Sequence, residues 1–222
     1  MDVYLVPSGR MNHELYCEVT AVVIDGRPTA PASLWQRMSQ VFHRLLAEGE
    51  RVRDAPHDSP ASHSRARRFV TRKLAEAVAE QRLLWNLRGQ TEVELLHPDD
   101  MPSQVAVDET RRLVGADRDK HRRWAVIDGL LILISAPFAL LPGPNVLAYY
   151  FIFRTVGHVL SMRGAQQGLS VIRWNARPSA PLTELRQALT MPPEARCSRI
   201  DAIAATLGLE RLATFVEKIT GI

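Results

Sequence analysis

Hydrophobic positions change their spacing along this chain, and each spacing predicts a different element. Val3–Val6 is a short β-prone run that stops at Pro7, and Leu15–Ile24 (LYCEVTAVVI) is β-branched and partly alternating until Asp25-Gly26 closes it. With the loop at 8–13 between them, the two runs predict a β-hairpin. Helical spacing follows. Ser33 can cap a helix to about Glu48, in which Leu34, Met38, Val41, Phe42, Leu45 and Leu46 share a face. The stretch 49–63 is rich in Pro, Asp, Ser and His and reads as a linker. A longer helix runs from Ser64 to about Arg88, with Phe69, Leu74, Val78, Leu83, Leu84 and Leu87 along one stripe, and Gly89 ends it. Thr91–Leu96 (TEVELL) predicts a third strand, stopped by His97-Pro98, and 99–114 predicts a helix interrupted at Gly115. Toward the end, a helix finishes before Pro178, a linker covers 178–181, and Leu182–Leu189 is a short helix. The tail predicts two helices turning at Leu207-Gly208-Leu209.

The centre of the chain breaks this pattern. From Gly129 to Phe153 there is no Asp, Glu, Lys, Arg or His. Such a run is a membrane candidate, because about 20 apolar residues cross the hydrocarbon core. A straight span is disfavoured, since Pro137 lies inside the first half and Pro142, Gly143, Pro144 and Asn145 are strong turn residues. The segment therefore predicts a helical hairpin with arms at about Trp124–Leu141 and Asn145–Met162. Each arm is about 27 Å long at 1.5 Å per residue, slightly short for a core of about 30 Å. A re-entrant hairpin and local thinning both fit. The competing reading is soluble: apolar helices of this length also form ordinary buried cores.

Folding the segment about Gly143 brings Asp128 level with His158, with Arg154 one turn deeper. A charge in an apolar setting is costly unless paired. Asp128, Arg154 and His158 form a candidate cluster that could relay protons or bind a cation such as K+, or could serve as a salt bridge that staples the hairpin. Lys120, Arg122, Arg123 and Arg163 flank the arms, and the turn is uncharged. This asymmetry predicts that both termini lie on the cytoplasmic or matrix-like side. Trp124, Tyr149 and Tyr150 offer interfacial anchors.

Composition agrees with a folded, anion-seeking protein. The chain of 222 residues is 46% hydrophobic and 23% charged, with a net charge of +4 and an isoelectric point near 9.4. A basic surface suits phospholipid headgroups or nucleic acid. Cys17 and Cys197 are far apart and form no CxxC, so neither a disulfide framework nor a zinc site is expected. The first residues lack the features of a secretory signal or a transit peptide. The histidines show no ligand spacing, and no phosphate loop, dinucleotide fingerprint or nucleophile elbow is present. No cofactor, no metal and no enzyme activity is expected. The stretch from Ile203 to Phe215 superficially resembles a helix-turn-helix, but its second helix sets Arg211 and Lys218 against Glu210 and Glu217. A recognition helix should be more basic, so nucleic acid is not the expected partner.

Several landmarks together resemble the mitochondrial K+/H+ exchange-related family, which includes bacterial relatives. They are Val3-Tyr4-Leu5-Val6-Pro7, Leu15-Tyr16-Cys17-Glu18, Leu83-Leu84-Trp85 and Val93–Pro98 (VELLHP). The most specific are Pro137-Phe138, Leu141-Pro142-Gly143-Pro144-Asn145, Tyr150, Phe151-Ile152-Phe153-Arg154 and His158. The resemblance implies a membrane-associated protein tied to potassium/proton exchange, a subunit or facilitator in a homo-oligomer or with another membrane protein. The membrane would be a bacterial inner membrane or the mitochondrial inner membrane. It brings no catalytic residues. A single hairpin does not build a transporter alone, because transport sites lie between several helices or repeats. The expected fold is α+β and mostly helical. An α+β region covers 1–123, the hairpin and a flanking helix cover 124–177, and a small helical module covers 182–222.

Overall fold

The structure, a computed structural model, describes residues 1–9, 12–18, 83–135 and 146–220. The helices expected over 33–48 and most of 64–88, the second half of the strand expected over 15–24, and the turn at 142–145 lie outside the described residues. The rest is α+β and mostly helical. Four strands, β1 (Asp2–Pro7), β2 (His13–Tyr16), β3 (Glu92–Pro98) and β4 (Arg173–Ser179), form a sheet of order β2-β1-β3-β4. Five helices accompany them: α1 (Ser103–Ser135), α2 (Val146–Ser170), α3 (Ala180–Ala188), α4 (Pro193–Leu207) and α5 (Leu212–Thr220). A further helical stretch covers 83–87.

The expected hairpin forms, with β1 and β2 antiparallel and Tyr4 opposite Tyr16 and Pro7 opposite His13. β3 runs parallel to β1, with Tyr4 opposite Leu96. β4 runs parallel to β3 from Glu92 opposite Arg173 to Pro98 opposite Ser179. This fourth strand replaces the end of the helix expected to reach Pro178. α2 instead stops at Ser170, where Val171 and Ile172 both turn their N–H groups back to the Gln167 carbonyl. The helix expected to break at Gly115 also runs on unbroken, so that α1 has 33 residues and is about 50 Å long.

Strand periodicity decides where the cores sit. Side chains alternate across a strand, yet Val3 to Pro7 are all buried, as parallel strands covered on both faces require. Val3 and Leu5 join Val93, Leu95, Leu84, Leu87, Val114 and Trp174 in one core. Tyr4 and Val6 join Tyr16, Leu182, Leu185, Leu212 and Val216 in the other. The C-terminal helices thus share a core with β1 and β2. Two glycines make the packing possible. A Cβ at Gly164 would fall 1.6 Å from the Leu84 carbonyl oxygen, so only glycine lets α2 lie against residues 83–87. Gly208 takes φ 67° and ends α4, and Leu209 N–H returns to the Ala204 carbonyl at 2.9 Å.

The described residues fall into two compact units. The first holds 1–9, 12–18, 83–122 and 162–220, including the whole sheet; the second holds 123–135 and 146–161.

Candidate functional site

The second unit contains the end of α1 and the beginning of α2. Trp124 and Asp128 are one turn apart on α1, and Arg154 and His158 are one turn apart on α2, so each pair shares a helix face. The structure brings these four side chains together. Arg154 Nε lies 3.2 Å from Asp128 Oδ2, and His158 Nε2 lies 3.4 Å from the same oxygen. The Asp128 side chain is 1% exposed, against 30% for Arg154 and 10% for His158. Among the described residues neither Asp128 oxygen receives a well-aligned hydrogen bond. The contact is therefore one of charge and proximity, in a setting where charge attraction is strong because water is excluded.

Trp124 closes the group. Its ring stacks near the His158 imidazole with centroids 6.5 Å apart and planes 21° apart. The Arg154 guanidinium carbon lies 5.4 Å from the Trp124 ring centre, within cation–π range. The sequence offers Trp124 as an interfacial anchor; its packing over both basic side chains of the cluster carries no spacing signal. Only the placement of its position one turn before Asp128 could have hinted at it. Chemically, a buried carboxylate facing a guanidinium and an imidazole can lock two helices together, and it can also accept a proton that either neighbour's charge then answers.

The opposite side of the same helix is apolar and open. Val126 is 60% exposed, Leu130 54%, Leu133 69% and Ile134 66%, with Ile127 beside them. Their spacing of three and four residues makes one stripe. Soluble surfaces rarely leave such a stripe uncovered. Among the described residues no helix is long and apolar enough to cross a membrane. Lys120, Arg122, Arg123 and Arg163 are all exposed. Pro142, Gly143, Pro144 and Asn145 lie outside the described residues, as do the side chains of Tyr149 and Tyr150.

Comparison with curated proteins finds no match, and comparison with solved structures finds none. The sequence model of the mitochondrial K+-H+ exchange-related family matches residues 34–171, a span that takes in both arms, the Asp128 cluster and β3. That span is more than half of the chain, and the protein belongs to the mitochondrial K+-H+ exchange-related family.

Proposed function

We propose that this protein is a membrane-associated, non-enzymatic component of potassium/proton exchange, acting as a subunit or facilitator within an assembly at an inner membrane. The observation that carries the reading is the open stripe of Val126, Ile127, Leu130, Leu133 and Ile134 on α1. Full burial of such a side chain contributes about 1.5–3 kcal/mol, so covering five that are roughly half exposed is worth on the order of 1 kcal/mol each. Lipid is the cover that charge favours. Arg123 opens this part of α1, and Lys120 and Arg122 precede it directly in sequence. Each basic residue near an anionic leaflet adds about 1 kcal/mol. The family's name supplies the link to potassium, protons and mitochondria. Both termini then lie on the cytoplasmic or matrix side, with the basic residues.

Fractionation tests the reading. The full chain should remain in the membrane pellet in salt and leave it with detergent, and L133D/I134D should shift it to the supernatant. Full recovery in the supernatant without carbonate or detergent would overturn it. The Asp128 cluster supports a more specific version, in which Asp128 takes part in the proton step. Asp128→Asn should then abolish K+-dependent pH relaxation in vesicles carrying the assembly; unchanged relaxation reduces the cluster to a staple between α1 and α2.

A further inference from the structure

A second group of the same residue types occurs in the first unit, and the membrane reading makes no use of it. His13 opens β2 and is only 7% exposed. Its Nε2 lies 3.1 Å from Arg186 Nη2 on α3. Arg186 Nη1 donates to Asp100 Oδ2 in the turn after β3, at 2.5 Å. One guanidinium thus ties the edge strand β2, the helix α3 and the β3–α1 turn. Thr183 of α3 meets the same turn, accepting from the Asp99 N–H at 2.9 Å.

The contact sets the proton on His13. A guanidinium has only donors, so Nε2 must present its lone pair and the ring must be neutral, with its proton on Nδ1. That Nδ1 is buried and, among the described residues, has no hydrogen-bond partner, and the same holds for Arg186 Nε. A second proton on the ring would set N–H against N–H at 3.1 Å and add positive charge beside Arg186. Among the described residues, four charged groups from the packed elements face the ring. Arg186 of α3 and Arg112 of α1 oppose protonation, and Glu109 of α1 and Asp100 of the turn favour it. Arg112 is held by Glu109 through two hydrogen bonds of 2.7 Å. Glu14, the next residue on β2, faces Asp117, Lys120 and Arg112 instead.

We propose that His13, Arg186 and Asp100 form a pH-operated latch that fastens β2 to α3 while His13 is neutral and releases it when His13 is protonated. The geometry supports release at β2 more than elsewhere. This strand has four residues and, among the described residues, sits at the sheet edge and pairs with β1 alone. Its far end is held independently, where the Tyr16 ring packs on Phe215 at 4.6 Å. The His13 end has Arg186 as its side-chain tie. Burial and the neighbouring Arg186 lower the His13 pKa from its ordinary value, so the latch stays closed near neutrality and opens only below the ordinary histidine range. The device lies in the first unit and stands whether or not the protein binds a membrane.

Hydrogen exchange on the full-length protein tests it, with rates corrected for the intrinsic pH dependence of exchange. Protection of the amides of Glu14 and Tyr16, which face β1, should fall as pH drops from 7.5 to 5, while amides of β3 keep theirs. In H13Q the fall should vanish. Loss of protection that is equally steep in H13Q, or no loss in the wild type, overturns the latch. Should H13Q fold poorly, nitrogen NMR of the wild-type ring decides: a neutral ring protonated at Nδ1 is expected at pH 7.5, and a proton on Nε2 at that pH overturns the proposal.

Discussion

In the first unit His13 turns a ring nitrogen to a guanidinium; in the second His158 turns one to a carboxylate. Both groups contain one His, one Arg and one Asp, and each histidine is buried. The order of contact separates them. Arg186 lies between His13 and Asp100, so the imidazole must accept and a further proton is repelled. Asp128 lies between Arg154 and His158, so the imidazole nitrogen nearest it faces a carboxylate oxygen rather than a guanidinium. Protonation breaks the first arrangement and keeps the second. Residue type alone does not tell a proton-released latch from a proton-tolerant clamp; the middle member of the chain does.

The largest effect should come from removing the middle member of the second group. Asp128→Ala leaves Arg154 and His158 facing an apolar void, and breaking a buried pair costs about 3–5 kcal/mol. Because Arg154 keeps 30% of its side chain in contact with solvent, about 2 kcal/mol is the expected loss, seen in denaturant titrations followed by fluorescence. D128L/R154M removes both charges and should recover most of it, since hydrophobic replacement of a buried pair is often neutral. No recovery would mean that the three side chains do not act as one clamp.

Next comes the middle member of the first group. Arg186→Ala should cost about 1 kcal/mol, because the Asp100 side chain is 40% exposed and water screens that pair. Its signature is the pH profile. The folded His13 pKa lies below the ordinary value of about 6.5. The unfolded chain therefore takes up the proton first, and stability is fully present above pH ~6.5 and declines as pH falls below it. One proton allows a slope of at most about 1.4 kcal/mol per pH unit. H13Q should remove this slope and R186A should reduce it, while D128A leaves it in place. A slope unaltered in both first-unit variants would assign the acid sensitivity to other groups.

The two groups were unequally legible in the sequence, and the reason is physical. Asp128, Arg154 and His158 lie close on either side of the turn expected at 142–145, so folding the sequence about Gly143 predicts the register of all three. His13 and Arg186 are 173 positions apart, on a strand and a helix whose meeting depends on the whole sheet. The same distinction runs through the fold. β1 is apolar on both faces beyond Asp2, and β3 alternates Val93 and Leu95 with Glu92 and Glu94, so both are read directly. β4 is not, because RWNARPS buries only Trp174 and Ser179, and its extended form depends on pairing with β3. Gly115 suggested a helix end, yet α1 continues through it. The cost of glycine inside a helix, about 1 kcal/mol, is small beside the packing of Ala106, Thr110 and Val114 on the inner face.

The smallest expected effect isolates the aromatic ring that covers the second group. Trp124 lies over Arg154 and beside His158 but carries no charge and is 42% exposed. Replacing it with leucine keeps an apolar side chain and removes the ring, so the loss should be limited to the cation–π share, about 0.5–1 kcal/mol at a site in contact with water. If the ring also orients the two basic side chains, W124L and D128A will couple. Their effects in a double-mutant cycle would then fall short of additivity by more than about 0.5 kcal/mol. Strict additivity would make the ring a separate cover on the Asp128 face and leave the clamp to Asp128 and the two side chains it holds.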